Sequence, residues 1–96
     1  MAIMRIQETP ADGMQTYDKV NQTMGVADDP PAGMIFHSAG AVDGKMVIVD
    51  AWESQEAFDR FSEERLMPAI REVMGGDPPE DATTVSTYEA HNVVRP

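Results

Sequence analysis

Apolar and polar residues alternate from Ala2 to Gln7, the period-two pattern of a half-buried strand. Thr9-Pro10-Ala11-Asp12 then predicts a helix start: a capping hydroxyl, proline at the first helical position, and an acid three residues after the cap. Met14, Tyr17, Val20 and Met24 follow at spacings of three, three and four, which is one stripe on a helix. Gly25 is a natural stop. Ala27-Asp28-Asp29-Pro30-Pro31 cannot continue a helix and reads as an exposed loop. Gly33 to Ala41 reads as a second strand, with Gly40 a place for a bulge or a close backbone approach. Asp43-Gly44 signals a hairpin, because the tight turn needs positive φ, and Met46 to Trp52 is the third strand.

That strand runs directly into a long amphipathic helix. Ser54 is placed to cap it, and Glu53 and Glu56 suit the positive end of its dipole. Its apolar side carries Ala57, Phe58, Phe61, Leu66, Ala69, Ile70 and Val73. Pro68 interrupts it: the ring lacks an N–H and would strike the carbonyl of Glu64, so a kink or broken turn is expected at about residues 65–67. Gly75-Gly76 ends the helix, Asp77 to Asp81 is loop, and Thr83 to Val93 is a β-branched fourth strand.

The order β-α-β-β-α-β over residues 1–96 predicts one α+β domain. Right-handed crossovers place both helices on one face of a four-stranded, mostly antiparallel sheet. The third strand is apolar on both sides, with Met46, Ile48 and Trp52 pointing one way and Val47, Val49 and Ala51 the other. Helices cover only one side. The other would be a large apolar patch for a monomer, so a homodimer is expected.

Composition narrows the partners. Seventeen acidic residues oppose seven basic ones, for a net charge of −10. A phosphate backbone or an anionic membrane surface attracts clustered Lys and Arg, and the chain has no such cluster, so neither nucleic acid nor membrane is an expected partner. The absence of cysteine excludes a disulfide scaffold and thiolate metal sites. The start MAIMRIQ turns polar too quickly for a secretory signal, and no run reaches the ~20 apolar residues of a membrane span, so a cytoplasmic protein is the expectation.

One motif stands at the joint between the third strand and the second helix. Asp50-Ala51-Trp52-Glu53-Ser54 is followed by Glu56-Ala57-Phe58, then by Phe61, Leu66 and Pro68. On this pattern and the element order, the chain resembles the dimeric α/β-barrel group, in particular small antibiotic-biosynthesis-monooxygenase-like domains of the ferredoxin-like fold. The resemblance implies two sheets facing each other across a dimer, and a cavity between sheet and helices that the Trp52 position lines. Members include cofactor-free oxygenases of polyketide quinols, haem-degrading enzymes and isomerases. Haem-degrading members carry a further Trp and a His on the second helix, where this chain has Phe61 and Arg71. An Asn on the third strand of a quinol-oxidising member falls at Ile48. No cofactor is expected.

Asp50 and Trp52 share one face of the third strand. Facing a cavity without a cation, Asp50 would be a desolvated carboxylate suited to moving a proton; at a wet strand end, or paired with Arg5 or Arg65, it is structural. His37 on the second strand and His91 on the fourth are the two imidazoles, candidate proton shuttles or ordinary strand residues. They have no supporting ligand spacing, so no metal site is expected. Trp52, Phe36, Phe58, Phe61 and Tyr17 would form the walls for a ring, or simply the core. Tyr88 and several of the eight methionines are further candidates for such a wall. The acidic runs at Asp28-Asp29 and Glu80-Asp81 lack the ligand density of a calcium loop and read as solvated. The expectation is a homodimeric domain binding a small aromatic or polyketide-like molecule. The alternative is a cofactor-independent monooxygenase or isomerase/cyclase on such a substrate, with Asp50 or His37 as the proton-moving group.

Overall fold

The computed structural model describes residues 2–10, 14–76 and 84–95. Four strands, β1 (Ile3–Pro10), β2 (Met34–Val42), β3 (Lys45–Trp52) and β4 (Thr84–Glu89), form one sheet in the order β2-β3-β1-β4. Every neighbouring pair is antiparallel. Each helical crossover skips one strand, so the two parallel members of a crossover never touch. The sheet, expected to be mostly antiparallel, is wholly so, with the ferredoxin-like topology expected.

The helical layer is α1 (Met14–Met24), α2 (Gln55–Phe61), one π turn at Ser62–Leu66, and α3 (Met67–Met74). Ser54 Oγ accepts from the Ala57 N–H at 3.1 Å, which is the cap expected from the sequence. Pro68 produces no break. The turn before it widens instead, with the Met67 N–H donating to the Ser62 carbonyl, five residues back. That register moves the Glu64 carbonyl away from the proline ring, and Pro68 falls in the first turn of α3, where no N–H is required.

The two sheet faces separate as the alternation requires. On the helix side, β3 presents Met46, Ile48, Asp50 and Trp52, all buried, and Trp52 has no exposed surface. Val47, Val49 and Ala51 take the other side with Met4 and Ile6 of β1. The helices leave that side uncovered, and it carries exposed Phe36, Val42 and Tyr88. Among the described residues, no helix is long and apolar enough to cross a membrane.

Several boundaries differ from those expected. Thr9 and Pro10 do not open α1; they extend β1, opposite Met46 and Lys45, because the partner strand is long enough to keep pairing. The proposed capping acid Asp12 lies outside the described residues. The loop after α1 buries Pro31 while residues 27–30 stay exposed. The sheet irregularity lies at Met34–Phe36 and not at Gly40. β4 ends at Glu89, so His91 stands beyond the strand and exposed. The Asp77–Asp81 loop lies outside the described residues. At the Asp43-Gly44 turn both φ values are positive, 49° and 75°, as the hairpin requires.

A cavity between sheet and helices

Three strands place a row of polar side chains across the helix side of the sheet. Arg5 on β1 is opposite Asp50 on β3, and Asp50 is opposite His37 on β2. The neighbouring row, Ile3, Trp52 and Met34, is apolar. Above these rows α1, α2 and α3 leave a cavity of about 910 Å³. Its lining includes Arg5, Asp50, His37, Tyr17, Trp52 and Phe58.

Asp50 is 3% exposed and is held on two sides. Arg5 Nη1 lies 3.4 Å from its Oδ2, and the Trp52 indole N–H donates to that same oxygen. Of the two cations considered, Arg5 is the partner. Arg65 is engaged elsewhere, donating to the Met24 carbonyl at 2.8 Å and lying 3.8 Å from Asp29. The Arg5 guanidinium also stacks over Phe58, 3.7 Å from the ring centroid. Trp52 closes this corner against Phe58 and Phe61, at centroid distances of 5.5 and 5.1 Å. One end of the cavity is therefore an aromatic wall with an ion pair set into its edge.

Beside Asp50, β2 and α1 contribute a second polar pair. The Tyr17 hydroxyl on α1 lies 2.5 Å from His37 Nε2 on β2. Burial lowers the His37 pKa, against the smaller pull of the Asp50 charge. Burial raises the Tyr17 pKa, and Asp18 and Asp50 add to that, while the Asn21 amide works in the opposite direction. Both groups are thereby kept neutral near pH 7. The direction of the bond follows the imidazole tautomer: with the ring proton on Nδ1, the phenol donates to Nε2. His37 also reaches solvent, since β2 is an edge strand.

Asp50, His37, Trp52, Phe58, Phe61 and Tyr17 all line the cavity. Phe36 does not. It pairs with Ala51 on the helix-free side and is 44% exposed, because neighbours on a strand take opposite faces and His37 takes the inner one. His91 and Tyr88 also lie away from the cavity lining. Arg5 is the lining residue that sequence reasoning treated only as a possible partner. Its signal was parity: it shares the inward face of β1 with the buried Ile3. Among the described residues, no three His, Asp or Glu side chains gather as a metal cluster.

The sequence matches no protein-family model and no curated protein. Solved structures are similar over nearly the whole chain. Rv0793 from Mycobacterium tuberculosis superposes with a TM-score of 0.72 at 12% identity, covering 99% of this chain and 100% of its own. SnoaB from Streptomyces nogalater, a cofactor-independent oxygenase, gives 0.63 at 11% identity, covering 97% and 96%. A monooxygenase from the gene ActVA-Orf6 of Streptomyces coelicolor, solved with the ligand nanaomycin D, gives 0.64 at 14% identity, covering 99% and 92%. The likeness shows a shared ferredoxin-like fold.

Proposed function

We propose that this chain binds a flat hydroxylated aromatic molecule between its sheet and helices, and that it works as a homodimer joined through the helix-free face of the sheet. One observation carries the binding reading: an aromatic wall of Trp52, Phe58 and Phe61 adjoins the polar row of Arg5, Asp50 and His37 within one cavity. A volume of about 910 Å³ holds a fused-ring molecule. The wall takes ring faces. Arg5 stands where an oxygen anion on the ring edge would be stabilised. The exposed Phe36, Val42 and Tyr88 on the uncovered face support the dimer.

The catalytic form of this reading is a cofactor-independent monooxygenase or an isomerase/cyclase. Its first step is loss of the ligand's hydroxyl proton, which leaves an electron-rich anion. His37 is the base, since its imidazole is neutral near pH 7, while Asp50 is tied to Arg5 and acts by its charge. The names of two solved neighbours, an oxygenase and a monooxygenase, favour the oxidative branch.

Trp52 is the only indole in the chain and reports on the cavity alone. Titration with naphthols, hydroxynaphthoquinones and hydroxyanthraquinones is expected to give saturable quenching of its fluorescence. No quenching by any member of that panel would remove the reading.

A further inference from the structure

The Tyr17–His37 pair has a geometry that packing alone does not require. A helix and an edge strand each contribute one polar side chain, and the two meet at the cavity rim rather than in the core. Nε2 is already occupied by the Tyr17 hydroxyl, and in the tautomer with the proton on Nδ1 His37 offers no free acceptor to a ligand. The Tyr17 oxygen does, because a phenol that donates one hydrogen bond retains acceptor lone pairs. A hydroxyl in the cavity therefore meets the base only through Tyr17.

Resting on the ligand reading above, we infer that Tyr17 and His37 form a two-step proton relay for a bound phenol or quinol. The ligand O–H bond breaks as its proton passes to the Tyr17 oxygen. The Tyr17 proton passes at the same time to His37 Nε2. The products are a ligand phenolate, an unchanged Tyr17 phenol and a His37 imidazolium. No electron leaves the system and no co-reactant is needed.

The surrounding charges suit each product. Asp50 faces His37 from β3 and favours the imidazolium. Arg5 from β1 is the permanent cation among the described lining residues, and it favours the phenolate. Asn21 on α1 helps the Tyr17 oxygen through any anionic character during transfer. Asp18 beside Tyr17 opposes this, and Asp28 lines the cavity from the loop after α1.

An internal transfer has a distinctive pH signature. Between the lowered pKa of His37 and the pKa of the free phenol, the ionised fraction of the bound ligand does not depend on pH, because no proton is exchanged with solvent. Below the His37 pKa the acceptor is already filled and the ligand stays neutral. The probe is 4-nitrophenol, whose phenolate is yellow. Wild type, Tyr17→Phe and His37→Gln are titrated with it, reading Trp52 quenching for binding and phenolate absorbance for ionisation.

The relay predicts quenching in all three proteins. It predicts a pH-independent yellow plateau in wild type only, with a several-fold lower phenolate fraction in both variants one pH unit below the free pKa. If all three proteins bind and ionise the probe equally, the pair is a structural staple and the relay is wrong, while the binding reading stands. If wild type shows no quenching, the binding reading fails and the relay fails with it.

Discussion

Asp50 was recognisable from strand alternation, but its role was not. A buried carboxylate without a partner would gain stability from neutralisation, whereas one holding a cation would lose it. The ladder decides this. Register sets Arg5 directly opposite Asp50, and linear spacing along a sequence does not carry register. Asp50→Asn keeps an acceptor for the Trp52 indole but removes the charge from a largely buried Arg5. We expect a loss of about 1–3 kcal/mol at pH 7 by urea denaturation. An unchanged or higher midpoint would mean the ion pair contributes nothing. The same rule of parity explains the error at Phe36. Adjacent strand residues cannot share a wall, so His37 and Phe36 could not both have faced the ligand. Tyr17, by contrast, came from the helical stripe Met14, Tyr17, Val20, Met24, and the stripe does face the sheet, with Val20 buried.

Elements were legible where the local signal was also the tertiary one. The Asp43-Gly44 turn, the Ser54 cap and the stop at Gly75 all appear as read, because each depends on a few contiguous residues. Where a neighbour had to choose, the sequence was silent. Thr9-Pro10 fits a helix start equally well, but β3 was there to pair with it. Pro68 fits a kink equally well, but a π turn relieved the clash and kept the helical layer continuous over the cavity. Gly33 is a further tertiary constraint at the joint of β2 and α2. Its φ is +86°, and a Cβ there would meet the Ala57 Cβ at 2.6 Å. Gly25 has a similar φ of +68° with open space around it. Gly25→Ala is expected to cost about 1–2 kcal/mol of backbone strain, and Gly33→Ala about 2–4 because a clash adds to it. Equal losses in thermal or urea unfolding would show that α2 does not press on Gly33.

At the scale of the whole molecule, the order of elements and the doubly apolar third strand fixed the layers. Helices cover Met46, Ile48 and Trp52, while no helix among the described residues covers Ile6 and Val49, half-buried at the middle of the opposite face. The account therefore predicts a dimer mass at micromolar protein by sedimentation equilibrium. Ile6→Glu, which puts a charge at the centre of that face, is expected to shift the mass to that of one chain. A wild-type monomer would contradict the dimer. The cavity was expected only through the family resemblance, since a gap between layers depends on how far the helices stand from the sheet, which residue spacing does not carry.

The central claim is that this gap receives an aromatic hydroxy compound against Trp52. The indole N–H of Trp52 gives a single resonance, because the chain has one tryptophan, and it sits on Asp50 at the foot of the aromatic wall. Following that one signal by ¹⁵N NMR during titration with a hydroxynaphthoquinone is the most direct test. The account predicts a saturable shift of the indole peak, accompanied by shifts at Tyr17 and His37. An indole peak that stays fixed while the ligand is in large excess, or shifts confined to the outer sheet face, would contradict it.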